Sequence, residues 1–122
     1  MAGMDQRRKT RYYLVSRVDM LLPNRGEPLW GAVANISRTG VTLYIRQQLT
    51  PKTKVTMKLR FQAEDGREIT ETATAMIIWQ RGETAGLEFE QPILVNSPAA
   101  QATPHLADYI AKKEAGSLPS KS

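Results

Sequence analysis

Apolar and polar positions alternate along most of this chain, and the alternation is interrupted by short segments rich in glycine, proline and polar residues. Leu14, Val18, Met20 and Leu22 share one parity, with Ser16 among them, while Arg17 and Asp19 hold the other. That period of two predicts a half-buried strand. Pro23-Asn24-Arg25-Gly26 supplies turn chemistry, and Trp30, Ala32, Ala34 and Ile36 continue as a second strand in which Trp30 is assigned to packing. The strand runs into a tight polar turn, Asn35-Ile36-Ser37-Arg38-Thr39-Gly40.

The clearest alternation follows. Val41, Leu43 and Ile45 interleave with Thr42, Tyr44 and Arg46, and Val55, Met57, Leu59 and Phe61 interleave with Thr56, Lys58, Arg60 and Gln62. Each run predicts a strand with one face on a core and one in water. Leu49-Thr50-Pro51 breaks the pattern between them, and Ala63-Glu64-Asp65-Gly66 reads as a hairpin loop whose glycine supplies positive φ. A long strand from Glu68 to Gln80 ends in Met76-Ile77-Ile78-Trp79; Arg81-Gly82-Glu83-Thr84 then turns the chain into a last strand with Leu87 and Phe89 inward. Six strands with short turns and no intervening helix predict an all-β fold, an antiparallel barrel or a sandwich.

After residue 91 the period changes. Thr103 suits an N-cap and Pro104 a first helical position. Leu106, Tyr109, Ile110 and Lys113 then fall at helical spacing before Gly116. The expected organisation is a flexible basic arm over 1–11, a barrel over 12–91, a linker and short C-terminal helix over 92–116, and a disordered tail over 117–122.

Composition narrows the chemistry. With 122 residues the chain suits one domain with a single core. It has no cysteine, which excludes disulfides, thiolate metal sites and a cysteine nucleophile. No stretch approaches the roughly 18 apolar residues of a membrane span, and Met1 to Arg11 lacks the apolar centre of a secretory signal, so a cytoplasmic protein is expected. The only histidine is His105, there is no Gly-x-Ser-x-Gly elbow, and no His/Asp/Glu spacing suggests a metal site. No catalytic residue and no cofactor is therefore assigned, and the carboxylates fall mainly on solvent-facing strand positions and turns.

Charge is uneven. Arg7, Arg8, Lys9, Arg11 and Arg17 stand against Asp5 alone in the first 18 residues, which accounts for nearly all of the net charge of +5. A local basic cluster concentrates anions near it. Two segments combine with that charge: Arg7-x-x-x-Arg11 before the first strand, and Asn35-x-Ser37-x-x-Gly40 at the turn between the second and third. Taken singly, the first is a common solvated tail and the second a common turn held by side-chain to backbone bonds. In this order, in a chain reading as a six-stranded barrel, the pair resembles the PilZ domain, a bacterial receptor family for cyclic di-GMP.

The resemblance extends to Val41-Thr42-Leu43-Tyr44, the Leu49 to Pro51 break, Ile78-Trp79 and Gly86-Leu87-Glu88-Phe89, and covers residues 6–91. It implies a PilZ-like antiparallel barrel that binds cyclic di-GMP through Arg7, Arg11, Asn35, Ser37 and Gly40. Arg8, Arg38 and Trp79 are further candidates. Asn35 stands where the family more often has aspartate. Gln6, where a basic residue accompanies uptake of a ligand dimer, points to one ligand per chain. Arginine suits such a ligand because its fork pairs bidentately with phosphate or with guanine O6 and N7, and its plane stacks on the base. The expected function is a sensor whose arm orders over the nucleotide and signals through an unidentified effector protein. The alternatives are a ligand-independent PilZ-like adaptor and a single-stranded nucleic-acid binder. The last is disfavoured because only Tyr44 clearly points outward as a stacking platform.

Overall fold

The computed structural model of the chain describes residues 11–23 and 26–116. Six antiparallel strands are present: β1 (Tyr12–Leu21), β2 (Leu29–Ile36), β3 (Gly40–Tyr44), β4 (Lys54–Ala63), β5 (Glu68–Arg81) and β6 (Thr84–Phe89). They close into a barrel in the order β1-β2-β3-β6-β5-β4. Closure decides between barrel and sandwich, because β1 pairs with β2 on one side and with β4 on the other. The arm before Arg11, the Asn24-Arg25 part of the first turn and the 117–122 tail lie outside the described residues.

The alternating apolar residues fill the barrel. Val55, Met57, Leu59 and Phe61 of β4 are each 1% exposed or less, and Met20, Leu43 and Ile77 meet them from other strands. A fully buried side chain of this size contributes about 1.5–3 kcal/mol. The hairpin between β4 and β5 turns at Gly66 with φ 94°, and that between β5 and β6 at Gly82 with φ 60°, conformations that favour glycine.

Besides a register shift on β1 between Leu14 and Val18, which oppose Phe61 and Leu59 of β4, two single-residue bulges break the regular register. On β2, Val33 opposes Leu43 but Asn35 opposes Thr42, so Ala34 is an extra residue. On β5, Ile77 opposes Leu87 but Trp79 opposes Gly86, so Ile78 is extra. The first bulge corrects the sequence reading of β2. Leu29 and Gly31 point inward before it and Ile36 after it, and Trp30 is 53% exposed instead of packed in the core. A bulge reverses the parity of everything beyond it, so a single-phase reading assigns one half of such a strand wrongly.

Two helices follow the barrel, α1 (Pro98–Ala102) and α2 (Pro104–Glu114). The sequence reading contains only the second. Ser97 caps α1 by accepting from Ala100 N at 3.1 Å. Leu106 and Ile110, one turn apart on α2, are buried in the common core. Thr103 occupies the N-cap position of α2 without capping it, since its hydroxyl donates to Ala99 O at 2.8 Å. Glu71 of β5 caps the helix instead, accepting from His105 N at 2.8 Å and Leu106 N at 2.9 Å. Its carboxylate also meets His105 Nδ1 at 2.7 Å, and the imidazole sits edge-on to Tyr12 with ring centroids 4.6 Å apart. A carboxylate at a helix N-terminus satisfies orphan N–H groups and complements the helix dipole. Among the described residues, no helix is long and apolar enough to cross a membrane.

Candidate functional site

Antiparallel pairing puts the start of β1, the end of β2 and the β4–β5 hairpin at one end of the barrel. Arg11 and the Asn35–Gly40 turn are thereby brought to the same end. Arg7 and Arg8 lie outside the described residues.

The turn is built from its own polar groups. Ser37 N donates to Gly40 O at 2.9 Å, and Ser37 Oγ accepts from Thr39 N at 3.3 Å. The local hydrogen bonds expected of such a turn are therefore made. Gly40 is required by proximity: a Cβ there would collide with the carbonyl oxygen of Leu87 on the paired strand β6. Phe89 N donates to Thr39 O at 2.8 Å and ties the turn to the end of β6.

Asn35, Ser37 and Gly40 line a cavity of about 230 Å³ whose other walls include Thr42, Ile78, Trp79, Gly86 and Glu88. The two bulges explain the convergence. Each shifts one side chain out of the regular alternation, Asn35 on β2 and Trp79 on β5, and both reach the same space. The indole of Trp79 packs against Gly86, where any side chain would strike it, and remains 40% exposed. A planar aromatic face, an amide, a hydroxyl and close backbone thus share one surface. Such a surface can stack a base and hydrogen-bond its edge.

Arg11 is placed differently. Its carbonyl oxygen accepts from Glu64 N at 3.2 Å, and its side chain is held near the β4–β5 hairpin. A hydrogen bond with Tyr13, then Coulomb attraction by Tyr13 and Glu64, hold its guanidinium above the ordinary arginine value. Tyr13 itself donates to Glu64 Oε2 at 2.9 Å. Arg11 is not among the residues lining the cavity.

Arg38 turns away from the cavity. Its Nη1 donates to Ile93 O at 2.7 Å and its Nη2 pairs with Glu114 of α2 at 2.8 Å. Beside it, Lys113 Nζ donates to Asn35 Oδ1 and, at 2.6 Å, to Ile36 O. The end of α2 therefore touches the motif turn directly. Helical spacing alone marks Lys113 as a position of the C-terminal helix, with no signal that it reaches Asn35.

A larger cavity of about 410 Å³ lies elsewhere, lined by Trp30, Ala32, Tyr44, Ile45, Arg46, Gln47 and Glu83. It contains none of the motif residues, and size alone does not make a site; the smaller cavity is the one on which Asn35, Ser37 and Gly40 of the motif converge. Among the described residues, no group of His, Asp and Glu could hold a metal ion.

A family model described as the PilZ domain matches residues 5–101, which includes both motif segments, the whole barrel and the start of α1. No curated protein matches the chain.

Proposed function

The chain belongs to the PilZ domain family, whose members bind cyclic di-GMP, and from that membership we propose that it is a non-catalytic sensor of this nucleotide. The observation that carries the reading is the convergence of Asn35, Ser37, Gly40 and Trp79 on one cavity at the barrel end where Arg11 begins β1. At about 230 Å³ that cavity is smaller than the roughly 300–1,000 Å³ of sites that enclose a drug-sized ligand. It suits one guanine and its phosphate, with the rest of the ligand covered from outside. The arm carrying Arg7 and Arg11 is the cover.

In this reading Trp79 stacks on a base and Asn35 and Ser37 bond its edge or the adjoining phosphate. Arg7 and Arg11 clamp the phosphates and guanine through bidentate contacts. Arg8 adds general attraction. Closure of the arm changes the surface offered to an effector protein, which would transmit the signal.

Calorimetric titration with cyclic di-GMP tests the reading. Charge-assisted hydrogen bonds are worth about 1.5–3 kcal/mol, so Arg7→Ala or Arg11→Ala should weaken binding roughly tenfold or more. Arg11→Lys should also bind poorly, because the fork is lost. No heat from the wild-type protein at micromolar concentrations would overturn the proposal. An effector captured equally well without nucleotide, and by Arg7→Ala, would establish the ligand-independent adaptor in its place.

A further inference from the structure

We propose that Lys113, in the last turn of α2, belongs to the ligand site, where it supplies a cation to a ligand phosphate and fixes the orientation of Asn35. The proposal rests on the reading of the motif cavity as a cyclic dinucleotide site.

The contacts of Lys113 set it apart from its neighbours. Lys112 pairs with Asp108 at 3.0 Å, Glu114 with Arg38 and Lys54 with Glu90 at 3.0 Å. The partners of Lys113 among the described residues are two neutral oxygens, Asn35 Oδ1 and Ile36 O. Lys113 thus has no carboxylate partner among the described residues, and an ammonium with three donors keeps one for a further acceptor. The cavity that Asn35 lines has Glu88 as its only charged wall residue among those described. An anionic ligand entering it meets no cation from the wall residues themselves; two described cations touch those walls, Arg81, whose guanidinium lies 5.8 Å from the Trp79 ring centroid, and Lys113, which bonds the amide of Asn35 directly.

The second part follows from donor chemistry. An ammonium only donates, so the amide of Asn35 must turn its carbonyl oxygen to Lys113, which leaves its NH₂ free to donate to guanine O6, N7 or a phosphate oxygen. An aspartate at position 35 would pair with the same lysine as an ion and would offer only acceptors. Asparagine with Lys113 therefore makes a donor site and a cation together. Arg38 keeps the lysine in reach, since its bonds to Glu114 and Ile93 O anchor the end of α2 beside the turn.

Titration of the full chain with cyclic di-GMP, in wild type, Lys113→Met and Lys113→Arg, tests this. Methionine keeps the aliphatic stem and removes the charge. Lys113→Met should weaken binding roughly tenfold, as loss of one charge-assisted contact would, and should reduce the sensitivity of binding to added salt. Lys113→Arg should retain affinity within about threefold, because a cation and donors remain. Thermal unfolding accompanies each variant, to confirm that the protein is folded at the titration temperature. Affinity and salt dependence unchanged in Lys113→Met, or tighter binding by it, would overturn the inference: the lysine would then only tether α2 or compete with ligand. Failure of the wild type to bind would overturn the reading beneath it, a different result from wild-type binding that Lys113→Met leaves intact.

Discussion

The Asn35–Gly40 turn is held from three sides, whereas Arg11 at the head of β1 rests on a single hairpin. β6 reaches the turn through Phe89 N, the following loop through Ile93, and α2 through Lys113 and Glu114. Arg11 has the backbone bond from Glu64 and the exposed neighbours Tyr13 and Glu64. On the proposed reading, the turn is the half of the site arranged in advance, and Arg11 is the half with fewer ties. Any ordering cost of binding would then fall on the Arg11 side, where arginine can recover it through charge-assisted bonds. Substitutions on the two halves should accordingly fail in different ways.

The largest effect is expected at Gly40. The Cβ of Gly40→Ala would run into backbone of β6, at Leu87 O and Glu88 Cα, which cannot move without breaking the β3–β6 ladder. Overpacking of this kind costs about 1–3 kcal/mol, and the upper end is expected in urea unfolding. Gly86→Ala sharpens the contrast, because the three atoms nearest its Cβ all belong to the Trp79 side chain, which is partly exposed and can swing away. Its cost should be smaller, with loss of ligand affinity as the main result. Equal destabilisation by the two substitutions would mean that the turn is no more rigid than the side chain facing it.

Next is Glu71, which anchors the other end of α2. Glu71→Gln removes the charge that holds His105 and Leu106 N–H groups in a buried place, at a cost of about 1–3 kcal/mol. Because His105 packs on Tyr12, next to Arg11, the damage should appear as faster amide exchange at the start of β1 and of α2, while the Asn35–Gly40 amides keep their protection. Uniform loss of protection at both places would join the two halves into one unit and end the distinction.

The strands with strict alternation were readable from sequence because each has one buried face; β4 is inward at Val55, Met57, Leu59 and Phe61 as its pattern requires. Glu71 was readable in principle too. It shares parity with Ala73, Ala75 and Ile77, so extending that phase backwards puts a carboxylate inside, where it must have partners. The bulges at Ala34 and Ile78 were not readable, since an extra residue leaves no mark on composition, and with them went the outward placement of Trp30 and the meeting of Asn35 with Trp79. The motif residues stood out by type and order. Contact between Lys113 and Asn35, 78 positions apart, is a property of how α2 lies on the barrel and has no local signature.

The smallest effects should come from the hairpin beside Arg11, and their smallness is what the comparison requires. Tyr13→Phe removes the exposed bond to Glu64, and surface changes of this kind stay within about 0.5 kcal/mol. Asp65 gives the same argument through pH. The backbone N–H of Arg67 favours its carboxylate most; partial desolvation opposes it, and the charge and side chain of Arg67 add smaller support, so that the carboxyl is held below the usual aspartate range. A carboxyl group with a lowered folded value adds stability above its unfolded value near ~3.9 and loses it as pH falls through the folded value. Wild type should therefore lose slightly more stability than Asp65→Asn between about pH 5 and pH 2, read as the difference in urea midpoints. An acid limb that is the same in both proteins would remove Asp65 as a support of the hairpin. A large difference would be more damaging, for it would mean that the Arg11 side is braced as firmly as the turn and that the two halves of the proposed site do not differ.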